Sequence, residues 1–172
     1  MDCGLSALPE GIGQLARLWK LDLSFNAELG TLPAGLSALV GLEELDLQHC
    51  GLRALPESIG ALAGLRRLFL GGNRELTALP EGLCSLAGLE ELDLYGRGLT
   101  SLPEGIGGLT GLRVLFLGGN RDLTALPAGL WSLVGLEKLY LGGGGLTADK
   151  ASVLAALEGR VKTEQALFRE LH

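Results

Sequence analysis

The chain has 172 residues, a net charge of −6 and a mean hydropathy of +0.34. This acidic balance argues against nucleic acid and anionic membranes as partners, because both require clustered lysine and arginine. Charged residues recur throughout the chain, so no apolar run reaches the roughly 18 residues that suggest a membrane span.

Six Leu-Pro pairs divide the chain at regular intervals and account for every proline. The steps between successive prolines are 24, 23, 24, 23 and 24 residues. A fixed period in this range indicates one supersecondary unit per repeat, stacked on its neighbours to bury a shared core. The sequence therefore predicts one solenoid over residues 1–146, with an N-terminal half repeat followed by repeats that start near residues 15, 39, 62, 86, 109 and 133.

Each repeat has two arms with different periodicity. The first arm contains a Leu-x-Leu step of period 2, which predicts a short strand with both leucines pointing inward. The six strands should be centred on Leu21–Leu23, Leu45–Leu47, Leu68–Leu70, Leu92–Leu94, Leu115–Leu117 and Leu139–Leu141. The second arm starts at the proline, which would break a strand ladder, so we expect a short helix or 3₁₀ turn there.

The repeat L-x-x-L-x-x-L-x-L-x-x-N/C-x-(x)-L-x-x-L-P resembles the leucine-rich repeat superfamily over nearly the whole chain. Its sequence L-P-E-G-I-G-x-L-x-x-L is most similar to the intracellular Ras-group type, found in plant proteins and in Scribble- and Erbin-like scaffolds. The resemblance implies an α/β solenoid with a curved parallel sheet of about six strands on its concave face and short helical segments on its convex face. It also implies a non-enzymatic module that binds a protein or peptide on the concave face, and we expect no cofactor or metal.

The position at which each strand ends departs from a regular array. It carries asparagine in alternate repeats and reads Asn26, Cys50, Asn73, Arg97, Asn120 and Gly144. Like residues therefore lie two strands apart, roughly 10 Å. We predict that no unbroken asparagine ladder forms.

Two rows of outward residues alternate in charge across the predicted sheet. They read Trp19, Glu43, Arg66, Glu90, Arg113, Glu137 and then Lys20, Glu44, Arg67, Glu91, Val114, Lys138. Opposite charges on neighbouring strands stabilise a sheet modestly. We therefore favour a self-neutralising ladder over a site that recognises a charged ligand.

Exposed aromatic side chains form the candidate binding surface. A third outward row and its neighbour carry Phe69, Tyr95, Phe116 and Tyr140 beside a run of glycines, together with Asp22, Asp46 and Asp93. Aromatic residues on a rigid surface are enriched at binding hot spots. The alternative is that the duplicated phenylalanines only shield the edges of the strands.

The two ends of the solenoid differ. The apolar residues Trp19, Leu5, Leu8 and Ile12 have no preceding layer over them, which predicts weak homodimerisation through this end or a place within a larger repeat protein. Residues 147–172 lose the repeat, and Thr147 is a suitable N-cap. We expect this segment to be a C-terminal helical cap.

The cysteines indicate whether the protein works in a reducing or an oxidising cellular compartment. Cys3 and Cys50 lie two repeats apart, beyond disulfide reach, and Cys84 is the third cysteine. We expect three small buried core residues in a reducing setting. No secretory signal is recognisable, so the sequence predicts a cytoplasmic protein.

Overall fold

The computed structural model describes residues 4–96 and 98–146, which form a parallel-stranded solenoid. The strands are β1 Lys20–Asp22, β2 Glu44–Asp46, β3 Arg67–Phe69, β4 Glu91–Asp93, β5 Val114–Phe116 and β6 Lys138–Tyr140. They make one sheet in chain order, with every neighbouring pair parallel. Residues 1–3, Arg97 and the helical cap predicted over residues 147–172 lie outside the described residues.

Each strand is centred on the first leucine of its pair rather than between the two leucines. After Asp22, the backbone N–H groups of Leu23 and Phe25 still donate to β2 and its continuation, but the N–H of Ser24 turns back to the Asp22 carboxylate. Pairing with β2 therefore continues beyond Asp22 through alternate N–H groups only. The leucines are buried as predicted except Leu21, which stays half-exposed because no described layer packs outside β1.

The second arm of every repeat is a five-residue 3₁₀ helix that begins directly after the proline. These helices are Glu10–Gln14, Ala34–Ala38, Glu57–Ala61, Glu81–Ser85, Glu104–Gly108 and Ala128–Ser132. Proline is favoured there because its fixed φ suits a helix start and its missing N–H would have no helical partner. Two glutamates also tie successive helices together, since Glu10 and Glu57 accept the backbone N–H groups of Gly35 and Gly82 at 2.7 Å.

The core is a continuous stack of leucines between the sheet and the 3₁₀ helices. Cys50 is fully buried in this stack, as expected. Cys84 is half-buried on the helical side, so the prediction that it is a core residue was wrong: its position falls within the 3₁₀ helix, one residue after the inward-pointing Leu83. Cys3 lies outside the described residues.

The asparagines connect neighbouring turns in place of a continuous ladder. Asn73 accepts the backbone N–H groups of Cys50 and Leu52 at 3.0 and 3.1 Å and donates to the carbonyls of Leu47 and Leu70. In the repeat before it, the Cys50 thiol donates to the carbonyl of Leu23 at 3.0 Å. The thiol therefore replaces only part of the hydrogen bonding that an asparagine supplies, which explains why the asparagines serve two turns each.

Candidate protein-binding face

The last residue of each strand points away from the core and forms a row across the sheet. The strand register aligns Asp22, Asp46, Phe69, Asp93, Phe116 and Tyr140. All six are exposed or half-buried. We call this side of the sheet, together with the turns that follow the strands, the sheet face.

The three aspartates of this row share a local role. In each case Oδ1 accepts the backbone N–H of the residue two positions later: Ser24 and Gln48 at 3.0 Å, and Tyr95 at 2.8 Å. This is the turn that aspartate side chains commonly form with their own backbone. Where the row carries an aromatic residue instead, the residue two positions later is glycine, as at Gly71.

The same three carboxyl groups differ in electrostatic environment. Hydrogen bonds from the Ser24 hydroxyl and backbone hold the pKa of Asp22 below its usual value. Burial raises the pKa of Asp46 and of Asp93, and like-charged carboxylates nearby raise both further. Asp22 is thus stabilised as an anion, whereas the other two are held as anions at a cost.

The predicted aromatic residues divide into two groups. Phe116 and Tyr140 stack, with ring centroids 4.4 Å apart and planes 6° from parallel. Tyr95 is exposed, and its ring leans over Gly118 and Gly119 toward this stack. Phe69 lies apart from them, because Asp93 on β4 separates it from Phe116.

A further aromatic pair lies on the turns after β1 and β2. Phe25 and His49 stack with centroids 4.9 Å apart and planes 15° from parallel. Both have positive φ, and the His49 ring covers Gly72 of the next turn. Their place beside the aspartate and aromatic row is visible in the sequence, but nothing in the sequence indicates that they stack, and we did not predict them as site residues.

A cavity of about 240 Å³ opens on the sheet face between His49 and Tyr95. Glycines form much of its wall, and Asp93 and Gln48 meet there, where the Gln48 amide donates to Asp93 Oδ2 at 3.2 Å. Its lining is Gln48, His49, Gly71, Gly72, Arg74, Asp93, Tyr95 and Gly96. Of the predicted site residues, the cavity brings together Tyr95 and Asp93 only.

The two charged rows lie on the same face of the sheet, toward the starts of the strands. Glu44 is buried and pairs with both Lys20 and Arg67, at 2.7 and 2.6 Å. Exposed pairs join Arg66 to Glu90 at 2.6 Å and Arg113 to Glu137 at 2.8 Å. These contacts favour the interpretation of the rows as a self-neutralising ladder, although Glu43, Glu91 and Lys138 form no ion pair among the described residues.

The predicted self-association residues occupy the first layer of the solenoid. Trp19 and Leu5 are exposed, at 58% and 38%, whereas Leu8 and Ile12 are half-buried against the core. Leu15, which was not among the predicted site residues, is 52% exposed on the same layer. Among the described residues, β1 has a sheet neighbour on one side only.

Comparison with known proteins identifies the class of repeat. The sequence model of the family described as Leucine Rich Repeat matches residues 41–62, which contain β2 and the following 3₁₀ helix. A leucine-rich repeat protein of Leptospira interrogans is 33% identical, with a TM-score of 0.62 over 81% of this chain and 41% of the other. The leucine-rich repeat domain of the type III effector XopL is 35% identical, with a TM-score of 0.72 over 84% and 50%.

A third likeness is to a plant receptor. The ectodomain of the receptor kinase GASSHO1/SCHENGEN3 from Arabidopsis thaliana, solved with CASPARIAN STRIP INTEGRITY FACTOR 2, is 29% identical, with a TM-score of 0.59 over 80% of this chain and 17% of the other. The present chain thus spans half or less of each of these proteins. Comparison with curated proteins gave no significant match.

The solenoid therefore has the leucine-rich repeat fold, and residues 41–62 match the repeat itself. Domains of this fold generally mediate protein–protein interactions. Within residues 4–96 and 98–146, no helix has the length and apolar character needed to cross a bilayer.

Proposed function

We propose that this chain is a non-enzymatic module that binds a protein or peptide on the sheet face, the concave face implied by the family resemblance. The observation that carries the proposal is the cavity between His49 and Tyr95, which is bordered by aromatic rings and walled by glycine. The binding residues would be those of the aromatic and aspartate row, Phe69, Phe116, Tyr140, Asp22, Asp46 and Asp93, together with Tyr95.

The division of the sheet face into two halves supports this location. The half near the strand starts has most of its charges paired within the sheet. The half near the strand ends presents rings beside backbone that lacks side chains, at Gly71, Gly72, Gly118 and Gly119. The glycines leave room for the His49 and Tyr95 rings to lie across this half. Exposed rings lose unfavourable contact with water when a partner covers them.

The likeness to the plant receptor gives further support for a protein or peptide ligand, since that ectodomain was solved with CASPARIAN STRIP INTEGRITY FACTOR 2. The two free thiols Cys50 and Cys84 favour a reducing compartment. We therefore propose a cytoplasmic location, and the L-P-E-G-I-G-x-L-x-x-L sequence of the repeat supports the intracellular Ras-group type.

The test is selection from a displayed library of random peptides against the immobilised protein. We expect enriched peptides that no longer bind when Phe69→Ser and Phe116→Ser are combined, while the melting temperature stays nearly unchanged. The matched control combines Val40→Ser and Val134→Ser, which are 62% and 79% exposed and lie outside the sheet. Peptides that still bind the variant with both phenylalanine substitutions, but not the variant with both valine substitutions, would show that binding occurs on the opposite face.

A second candidate function is self-association through the first layer, where Trp19, Leu5, Leu8 and Ile12 would meet a second copy or further repeats. The exposure of Trp19 beside an edge strand is the observation that favours it. Light scattering over a concentration series should give a rising mass that Trp19→Lys returns to that of the monomer. A constant monomer mass would exclude pairing with a second copy.

A further inference from the structure

The cavity between His49 and Tyr95 has a defined construction. The His49 ring lies over Gly72 and closes one side. The Tyr95 ring leans the other way, over Gly118, and Gly71 and Gly96 line the space between the two rings. Its volume of about 240 Å³ equals the share of about eight water molecules in the liquid, which suits a single side chain rather than a helix or strand.

An uncompensated carboxylate lies in this cavity. Asp93 accepts the N–H of Tyr95 through Oδ1 and the Gln48 amide through Oδ2. Among the described residues, no lysine or arginine forms an ion pair with Asp93 or with Asp46, although Glu44 in the next row has two. Arg74 also lines the cavity, but it is exposed and makes no such pair with Asp93.

The surroundings of Asp93 disfavour its charged form. Burial raises the pKa of Asp93, and the negative charge of Asp46 raises it further. A cation bound in the cavity would relieve both effects, because a nearby positive charge favours the ionised carboxyl. A bound anion would instead add a third negative charge to this part of the sheet face.

We propose that the cavity binds the guanidinium group of an arginine side chain from the protein partner. A guanidinium is planar, so it can stack on the exposed Tyr95 ring while its N–H groups reach Asp93 Oδ2. It is also less strongly hydrated than an ammonium group, which favours arginine over lysine in a half-buried site. This proposal rests on the proposed function, since it assigns one subsite of the binding face.

The probe is the blocked tripeptide acetyl-Gly-Arg-Gly-amide, titrated into the full ¹⁵N-labelled chain and followed by NMR. We expect saturable shifts at the backbone amides of Gly71, Gly72 and Gly96. The same peptide with citrulline, which replaces the guanidinium by a neutral group of nearly the same shape, should bind at least about tenfold more weakly. The lysine peptide should also bind more weakly than the arginine peptide.

Two variants and a matched control complete the test. Asp93→Asn keeps an oxygen that can accept the Tyr95 N–H but removes the charge, and Tyr95→Leu removes the ring; each should weaken the arginine peptide about tenfold. Asp122→Asn removes the charge of an exposed carboxylate outside the cavity and should leave binding unchanged. The proposal would be overturned by equal binding of arginine and citrulline, by equal or tighter binding of lysine, or by retention of affinity in Asp93→Asn. An equal loss in Asp122→Asn, or no saturable shift at millimolar peptide, would also overturn it.

The peptide selection and the tripeptide titration together distinguish the proposal of an arginine subsite from the proposal of a binding module. If peptide selection yields ligands of the sheet face while the arginine tripeptide fails, the cavity proposal falls and the binding module stands. If selection yields no ligand but the tripeptide gives the expected shifts, the subsite stands and the proposal of a wider peptide-binding face falls.

Discussion

The imidazole of His49 stacks on the ring of Phe25, with centroids 4.9 Å apart and planes 15° from parallel. Both residues have positive φ, 61° at Phe25 and 54° at His49. Three later repeats place glycine at the same position with the same sign of φ, at Gly72, Gly119 and Gly143. A side chain costs about 1–2 kcal/mol in this conformation, so the pair is retained against the local backbone preference, as residues at binding sites often are.

Replacing His49 by glycine should therefore change the free energy of unfolding by less than about 1 kcal/mol, because relief at the backbone offsets the lost stacking. Gly72→Ala should cost more than about 2 kcal/mol, since a Cβ there has unfavourable φ and would overlap the His49 ring. In the double variant the cost of Gly72→Ala should fall, because the overlap is gone. Urea denaturation of the unmodified protein, the two single variants and the double variant measures this double-mutant cycle. Strictly additive changes in the free energy of unfolding would contradict the arrangement of His49 over Gly72.

Asp22 and Asp93 occupy the same repeat position, and neutralising them should have opposite effects. The pKa of Asp22 is lowered in the folded state, so its charge contributes stability above its unfolded pKa that is lost as pH falls through the folded pKa. The pKa of Asp93 is raised, so its contribution is present at low pH and is lost as pH rises through the folded pKa. At neutral pH, Asp22→Asn should lower the melting temperature and Asp93→Asn should raise it.

Thermal melts of both variants between about pH 3 and neutral pH test this pair. The differences from the unmodified protein should shrink toward the acid end, where the carboxyl groups are protonated in both states. Shifts of the same sign at neutral pH would show that the two carboxyl groups have similar surroundings. The rise expected for Asp93→Asn also matters for function, because a residue that reduces stability is typical of a site kept for binding.

Asn73→Ala should be among the most destabilising changes on this side of the solenoid. It leaves the N–H groups of Cys50 and Leu52 and two carbonyls without their partners in a buried region. Each unsatisfied buried group costs about 1–3 kcal/mol, so we expect a loss of more than about 2 kcal/mol in urea denaturation. Cys50→Ala removes only a thiol that donates to backbone carbonyls and should cost clearly less; equal losses would refute the role assigned to the asparagine.

Cys84 should be unreactive although it is half-buried rather than enclosed. Burial and the neighbouring Glu81 raise its pKa to about 11, which leaves about one thiolate in a thousand at pH 8. Alkylation by iodoacetamide, read at this residue by mass spectrometry, should be at least about a hundredfold slower than that of a free cysteine peptide. Glu81→Gln should raise the rate, and a rate in the unmodified protein within tenfold of the peptide would contradict the expected pKa.

The positions of the strands and 3₁₀ helices were predictable because their signals are local. Period-2 leucines place Leu45 inward and Asp46 outward whatever the neighbouring repeats contain, and each proline starts a 3₁₀ helix through its fixed φ. The strand centres differ from the prediction by one residue, because every strand ends at the residue after its first leucine, whether that residue is aspartate or aromatic.

The amino-acid sequence by itself thus determined the solenoid, the order of its strands and the residues that point outward, since these depend on periodicity along the chain. Only the tertiary structure decided what the outward residues do together. The cavity needs side chains from three successive repeats, and its Gln48–Asp93 hydrogen bond joins residues 45 positions apart. Aspartates at one repeat position acquired opposite pKa shifts for the same reason, because burial and neighbouring charge are set by the adjacent strands and not by the repeat itself.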